Sequence, residues 1–185
     1  MKNHSIKLLA FFLFIASFES FGQEFLGIKI EGNLNEIIAK FKQKGFKVIP
    51  PVENSVLLEG KAGTSNVEIV AFASPISKTV YKLNVYLPKK TSWSNLKSEY
   101  QDYLSTLTNK YGQPTDSFDF FESPYKEGEG DEMIAVEMEK CHYSAFWTNV
   151  SIHISEFKQI RISYENLKNI EIRKYEDTKL KKDIF

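Results

Sequence analysis

A single cysteine, Cys141, stands in 185 residues, so no intramolecular disulfide can close and the core must carry the stability of the fold alone. Charge of neither sign is in excess, since 24 Lys and Arg side chains face 24 Asp and Glu. Without a basic surplus the chain has no long-range field with which to collect DNA, RNA or an anionic membrane, and no nucleic-acid partner is expected. Glycine and proline are sparse, at 9 and 6, which argues against a fibrous or low-complexity chain. Long apolar runs are also scarce. The uncharged stretch at residues 8–18 is 11 residues long, whereas a membrane-spanning helix needs about 20.

What is present describes one ordinary globular domain. The chain is 42% hydrophobic and 14% aromatic, with 15 Phe and 9 Tyr, enough apolar bulk to close a core at this length. Lys2 and Lys7 precede the apolar run, and Ser20 and Gly22 place small residues three positions and one position before Gln23. This is the pattern of a secretory signal peptide over residues 1–22, cut between Gly22 and Gln23. The mature protein is therefore expected in the periplasm of a Gram-negative bacterium or outside the cell. No cysteine lies at the cut to take a lipid, so no membrane anchor is expected after cleavage.

Along the mature chain, a short strand at residues 25–30 is followed by Gly32 and a helix with apolar residues at Leu34, Ile37, Ile38 and Phe41. Asn33 is its N-cap, Glu36 can close a capping box, and Gly45 ends it. Strands are expected at residues 55–59, 67–73 and 79–87, the last with Tyr81, Leu83, Val85 and Leu87 alternating against Lys82 and Asn84. Thr91 or Ser92 then caps a longer helix in which Trp93, Leu96, Tyr100, Leu104, Leu107 and Tyr111 form one stripe. Gly112 and Pro114 stop it, and strands are expected at 117–121, 132–140, 144–154 and 159–164. Residues 174–185 read as a charged, frayed tail.

The order of helix then strands, twice over, gives the fold class as α+β: two helix-then-antiparallel-strand units forming one sheet-rich domain over residues 23–173, possible halves 23–90 and 91–173, with the helices on one face. Polar alternates such as Lys82, Asn84, Ser151 and His153 are expected on the other.

The segments Leu26-Gly27-Ile28-Lys29-Ile30-Glu31-Gly32, Lys44-Gly45-Phe46, Lys110-Tyr111-Gly112-Gln113-Pro114 and Ile162-Ser163-Tyr164-Glu165-Asn166 resemble secreted Bacteroidetes proteins of uncharacterised function. Such chains are similar in architecture to the tandem helix-plus-sheet domains of the beta-lactamase inhibitor protein and the SmpA/OmlA outer-membrane assembly lipoproteins. The resemblance implies action by binding other proteins. This chain lacks the disulfides of the former and the lipid-bearing cysteine of the latter, so no functional residue carries over.

Three groupings invite chemistry. Cys141, His142 and His153 are the thiol and imidazoles of the mature chain, the residue types of a cysteine nucleophile with its base or of a zinc site. Successive strand residues point to opposite faces, so Cys141 and His142 diverge if that segment is extended, whereas a turn near Tyr143-Ser144 would relax this. Glu127-Gly128-Glu129-Gly130-Asp131-Glu132 alternates carboxylates with glycines as a calcium loop would, but position twelve from Glu127 is Met138 and supplies no carboxylate. A solvated loop between strands is the expectation. Tyr81, Tyr86, Tyr100, Tyr103, Trp93 and Trp147 could offer a stacking surface, although most fit core positions. No catalytic, cofactor-binding or metal residue is assigned. The leading expectation is an exported, non-catalytic binding module whose partner is another exported or envelope protein; the alternatives are a cysteine or carboxylate hydrolase and a small-molecule or glycan binder of cystatin-like architecture.

Overall fold

The computed structural model describes residues 23–50 and 52–184; the expected signal peptide and its cleavage site fall outside the described residues. A two-stranded ribbon, β1 (Glu24–Phe25) and β2 (Ile28–Lys29), leads into α1 (Leu34–Gln43). Then come β3 (Lys47–Val48), β4 (Ser55–Ala62), β5 (Ser65–Ala73), β6 (Val80–Tyr86) and α2 (Trp93–Tyr111). The chain continues through β7 (Asp116–Phe121), α3 (Glu132–Glu137), β8 (Cys141–Phe146), β9 (Val150–Ser155), β10 (Gln159–Glu165) and α4 (Leu167–Ile184). The fold is α+β. One antiparallel sheet runs β3-β4-β5-β6-β10-β9-β8-β7, with β6 and β10 paired at its centre.

Local chemistry sets both early helices. Asn33 caps α1, its side-chain oxygen accepting from Asn35 N at 3.0 Å while Glu36 reaches back to Asn33 N. Gly45, at φ +84°, turns the chain out of the helix. Ser92 caps α2 through Asn95 N, and Gly112 at φ +83° ends it. Leu34, Ile37 and Phe41 of α1 and Leu96, Tyr100 and Leu107 of α2 are buried. They join Leu58, Ile69, Leu83, Val85, Ile152, Ile160 and Ile162 in one continuous core on one face of the sheet.

Four local expectations are corrected. Residues 132–140, read as a strand, begin with helix α3: Gly128 and Gly130 both adopt positive φ, Glu132 accepts from Gly128 N at 2.6 Å, and the helix-forming Glu, Met and Ala residues that follow bury Ala135 and Val136. The strand expected over 144–154 is instead the hairpin β8–β9, closed where Trp147 N donates to Val150 O at 2.8 Å. Tyr81 leaves the alternation expected of it, because the register shifts between Phe72 and Ala73 and leaves Tyr81 as the extra residue of a bulge. Val80 and Leu83 then both enter the core, and Tyr81 turns to the other side beside Phe72, ring centres 6.4 Å apart.

The fourth correction is the tail, which belongs to the 18-residue helix α4. This helix packs against β6 with Arg173 5.3 Å from the Tyr81 ring, on the side away from α1 and α2, so not all helices share one face. Its docking surface is polar. Asn166 Nδ2 donates to Ile30 O at 2.8 Å, Asn169 Nδ2 to Val80 O at 2.7 Å, and the buried Glu176 accepts from Ile76 N at 2.7 Å and Ser77 N at 3.2 Å. Among the described residues no helix is long and apolar enough to cross a membrane.

Candidate functional site on the open sheet face

The register aligns one row of side chains across all eight strands on the face opposite α1 and α2: Phe118, Ser144, His153, Arg161, Tyr86, Glu68, Glu59 and Lys47 are successive cross-strand partners. Ser151, Ser163 and Asn84 follow one step along, and Lys82 and Glu165 one step further. Lys82, Asn84, Ser151 and His153 thus share a face, as strand alternation requires. Asn84 and Ser163 are nonetheless buried, and Ser163 Oγ bonds Asn84 Oδ1 at 2.9 Å. This pair ties β6 to β10.

His153 and Arg161 sit directly opposite each other at the centre of the β8–β9–β10 side. His153 Nε2 and Arg161 Nε are both buried atoms with no hydrogen-bond partner, a state that costs about 1–3 kcal/mol for each group. Burial, with the positive charges of Arg161 and Lys82 behind it, lowers the His153 pKa to about 3. The imidazole is therefore neutral at neutral pH. The guanidinium stays charged, and among the described residues none of the ion pairs includes it. Lys82 spends its charge on Glu165 at 2.8 Å. The carboxylate in Arg161's own row, Glu68, lies two strands away beyond Tyr86, roughly 10 Å at ordinary strand spacing.

Beside this pair the sheet presents aromatic rings to solvent. Phe118, Phe120 and Phe146 are 41%, 48% and 37% exposed, with Phe118 6.3 Å from each of the other two rings. Phe120 lies 4.9 Å from the His142 ring. Two open clefts of about 260 and 390 Å³ share Phe146, His153 and Arg161 in their walls. A larger cleft of about 620 Å³, at the β4–β5–β6 side, is walled by Lys47, Lys61, Lys89, Glu59 and Glu68 around Tyr86. It is open rather than enclosed, and Val67, Leu87 and Pro88 share its walls with the charged side chains.

Cys141, His142 and His153 all border the smaller cleft, but among the described residues they do not gather as a ligand cluster would. Cys141 opposes Phe121 on the core side, where it packs against the core, and burial pushes its pKa up to about 12. His142 turns to the open side and meets Glu122 Oε1 at 2.6 Å through Nε2; the same carboxylate also takes Lys140. A nucleophile and base on opposite faces of one strand cannot exchange a proton directly, so Cys141 and His142 do not form a nucleophile–base pair. Among the described residues no three or more His, Cys, Asp or Glu gather as metal ligands would.

In the glycine-rich segment Glu132 is buried, whereas Glu127 and Glu129 stay exposed. Glu127 accepts from Trp93 Nε1 and Tyr143 OH, both at 3.0 Å, and pairs with Lys97. Those hydrogen bonds, Lys97 first, hold its carboxyl below the usual carboxylate range. Of the six aromatics raised by the sequence, Trp93, Tyr100, Tyr103 and Trp147 pack in or against the core, and Trp93 and Tyr100 stack edge-on against Tyr143. Tyr81 and Tyr86 lie on the other face. Sequence reasoning passed over Arg161, although it is one of only two arginines in the chain and alternates with the apolar Ile160 and Ile162. It also passed over the phenylalanines of β7, whose 117–121 strand gave no hint that it would be an edge. Comparison with protein-family models, curated proteins and solved structures finds no match to this chain.

Proposed function

We propose that the protein is an exported, non-catalytic binding module that engages another exported or envelope protein through the open face of its sheet. The observation that carries this reading is the exposed aromatic group Phe118, Phe120 and Phe146 beside the uncompensated Arg161 and the unpartnered His153. Aromatic rings and arginine are the side chains that dominate protein interfaces. Export is part of the proposal and rests on the charged, apolar and small-residue pattern of residues 1–22.

The proposed architecture is two helix-then-strand units, α1 with β3–β6 and α2 with β7–β10, meeting at the β6–β10 pair. The sheet order, in which each set of four strands is contiguous, supports it, and it accords with the resemblance to tandem helix-plus-sheet binding domains. A photo-crosslinking residue at Ser151, on the open face, should give one discrete adduct in the native host, whereas the same residue at the exposed Asp102 of α2 should give none. Equal adducts from both positions, or none from Ser151, would overturn the reading.

A further inference from the structure

We propose that Arg161 and His153 form a receptor for the carboxylate of a Glu or Asp side chain in the protein partner, with Phe118 and Phe146 holding apolar residues that flank it. The proposal rests on the binding reading above and names the chemistry that the face recognises. A guanidinium is a planar fork whose donors match a carboxylate, and this one carries a full charge with no ion-pair partner among the described residues. Arg161 Nε and, across the strand pair, His153 Nε2 are both buried and unpartnered. Both residues line the two clefts, and a carboxylate seated there, once a side-chain shift uncovers the two atoms, accepts from Arg161 Nε–H and from His153 Nε2 when that nitrogen carries the proton.

The surroundings select the ligand further. Glu165 neutralises Lys82 on the same face, which leaves Arg161 as the cation without a counter-ion, and Glu139 and Glu156, which also line the smaller cleft, add to the cost of a doubly charged anion there. A phosphate would find one guanidinium and a neutral imidazole, too little charge for a dianion, whereas a carboxylate is matched one to one. The clefts that share His153 and Arg161 are open and run out to Phe146, which suits a side chain presented by a polypeptide. A free small acid would leave the rings uncovered.

The test uses the protein from Gln23 onward, with Arg161 Nε–H and the His153 ring observed by NMR during titration. The probes are a capped tripeptide with glutamate between two phenylalanines, the same peptide with glutamine, and sodium acetate. The expected result is a saturable shift of both signals with the glutamate peptide, at least about tenfold weaker with the glutamine peptide and with acetate. Arg161→Gln, checked for native circular dichroism, should abolish the shift at His153. Equal binding of the two peptides would overturn carboxylate recognition, equal binding of acetate would overturn the polypeptide source, and no shift at Arg161 with wild type would overturn the site. In each case a discrete adduct at Ser151 would leave the broader binding reading standing.

Discussion

His153 makes stability depend on pH in a direction that can be worked out. Its folded pKa of about 3 lies below the ordinary value of about 6.5 for an unfolded chain. Between these values the unfolded chain takes a proton that the folded protein refuses, so stability is whole above pH 6.5 and falls as the pH drops. The slope is about 1.4 kcal/mol per pH unit, or roughly 2 kcal/mol by pH 5. Urea unfolding of wild type and His153→Gln at pH 7.5 and pH 5 should show the variant losing less; parallel losses would mean the imidazole is not buried. Cys141 makes a second case. Its half-buried thiol, packed against the core, should resist alkylation in the folded state, and Cys141→Ser should cost about 1 kcal/mol, as for an ordinary core change. Rapid labelling by iodoacetamide under native conditions would contradict the raised pKa. At Gly60 a Cβ would lie 2.5 Å from the Phe46 ring, so Gly60→Ala should destabilise by about 1–3 kcal/mol through overpacking, readable as a lower urea midpoint.

At the scale of elements, what could be read from the chain was what local rules govern. α1 and α2 were legible because cap, apolar stripe and terminal glycine agree at each, and the meander was legible because alternation and turn residues agree. α4 was not, because it docks through Asn166, Asn169 and Glu176 rather than through an apolar stripe, and periodicity reports only apolar faces. The bulge at Tyr81 was equally hidden, since it arises from the pairing of β6 with β5 and not from β6 itself. The same limit applied to the site: the divergence of Cys141 and His142 follows from strand alternation, whereas the meeting of His153 with Arg161 needs the register of β9 against β10. If Glu176 is what fastens α4 to the 74–79 loop, Glu176→Ala leaves two backbone N–H groups without their acceptor and should cost about 1–3 kcal/mol. Hydrogen exchange at Ile76 and Ser77 should quicken while that at Ile152 changes least. Unchanged exchange at Ile76 would mean the helix is held by its first turn alone.

For the whole molecule, the β6–β10 pair decides whether the chain melts as one body. Five residue pairs from Arg161–Tyr86 to Glu165–Lys82 join the strands, and the buried Ser163–Asn84 hydrogen bond lies within that seam. The core does not divide there. Leu83 and Val85 on one side and Ile162 and Tyr164 on the other belong to the same cluster as the buried residues of α1 and α2. Separating the sets β3–β6 and β7–β10 would therefore expose apolar surface on both, at about 25 cal/mol for each Å² uncovered. Neither set could open without weakening the other, which is the condition for a single cooperative transition. Calorimetry of the protein from Gln23 onward should give one peak whose van't Hoff and calorimetric enthalpies agree, at about 0.7 kcal/mol per residue near 60 °C. Two peaks, or a calorimetric enthalpy well above the van't Hoff value, would show that the halves fold independently and that the sheet is continuous in hydrogen bonding but not in energy.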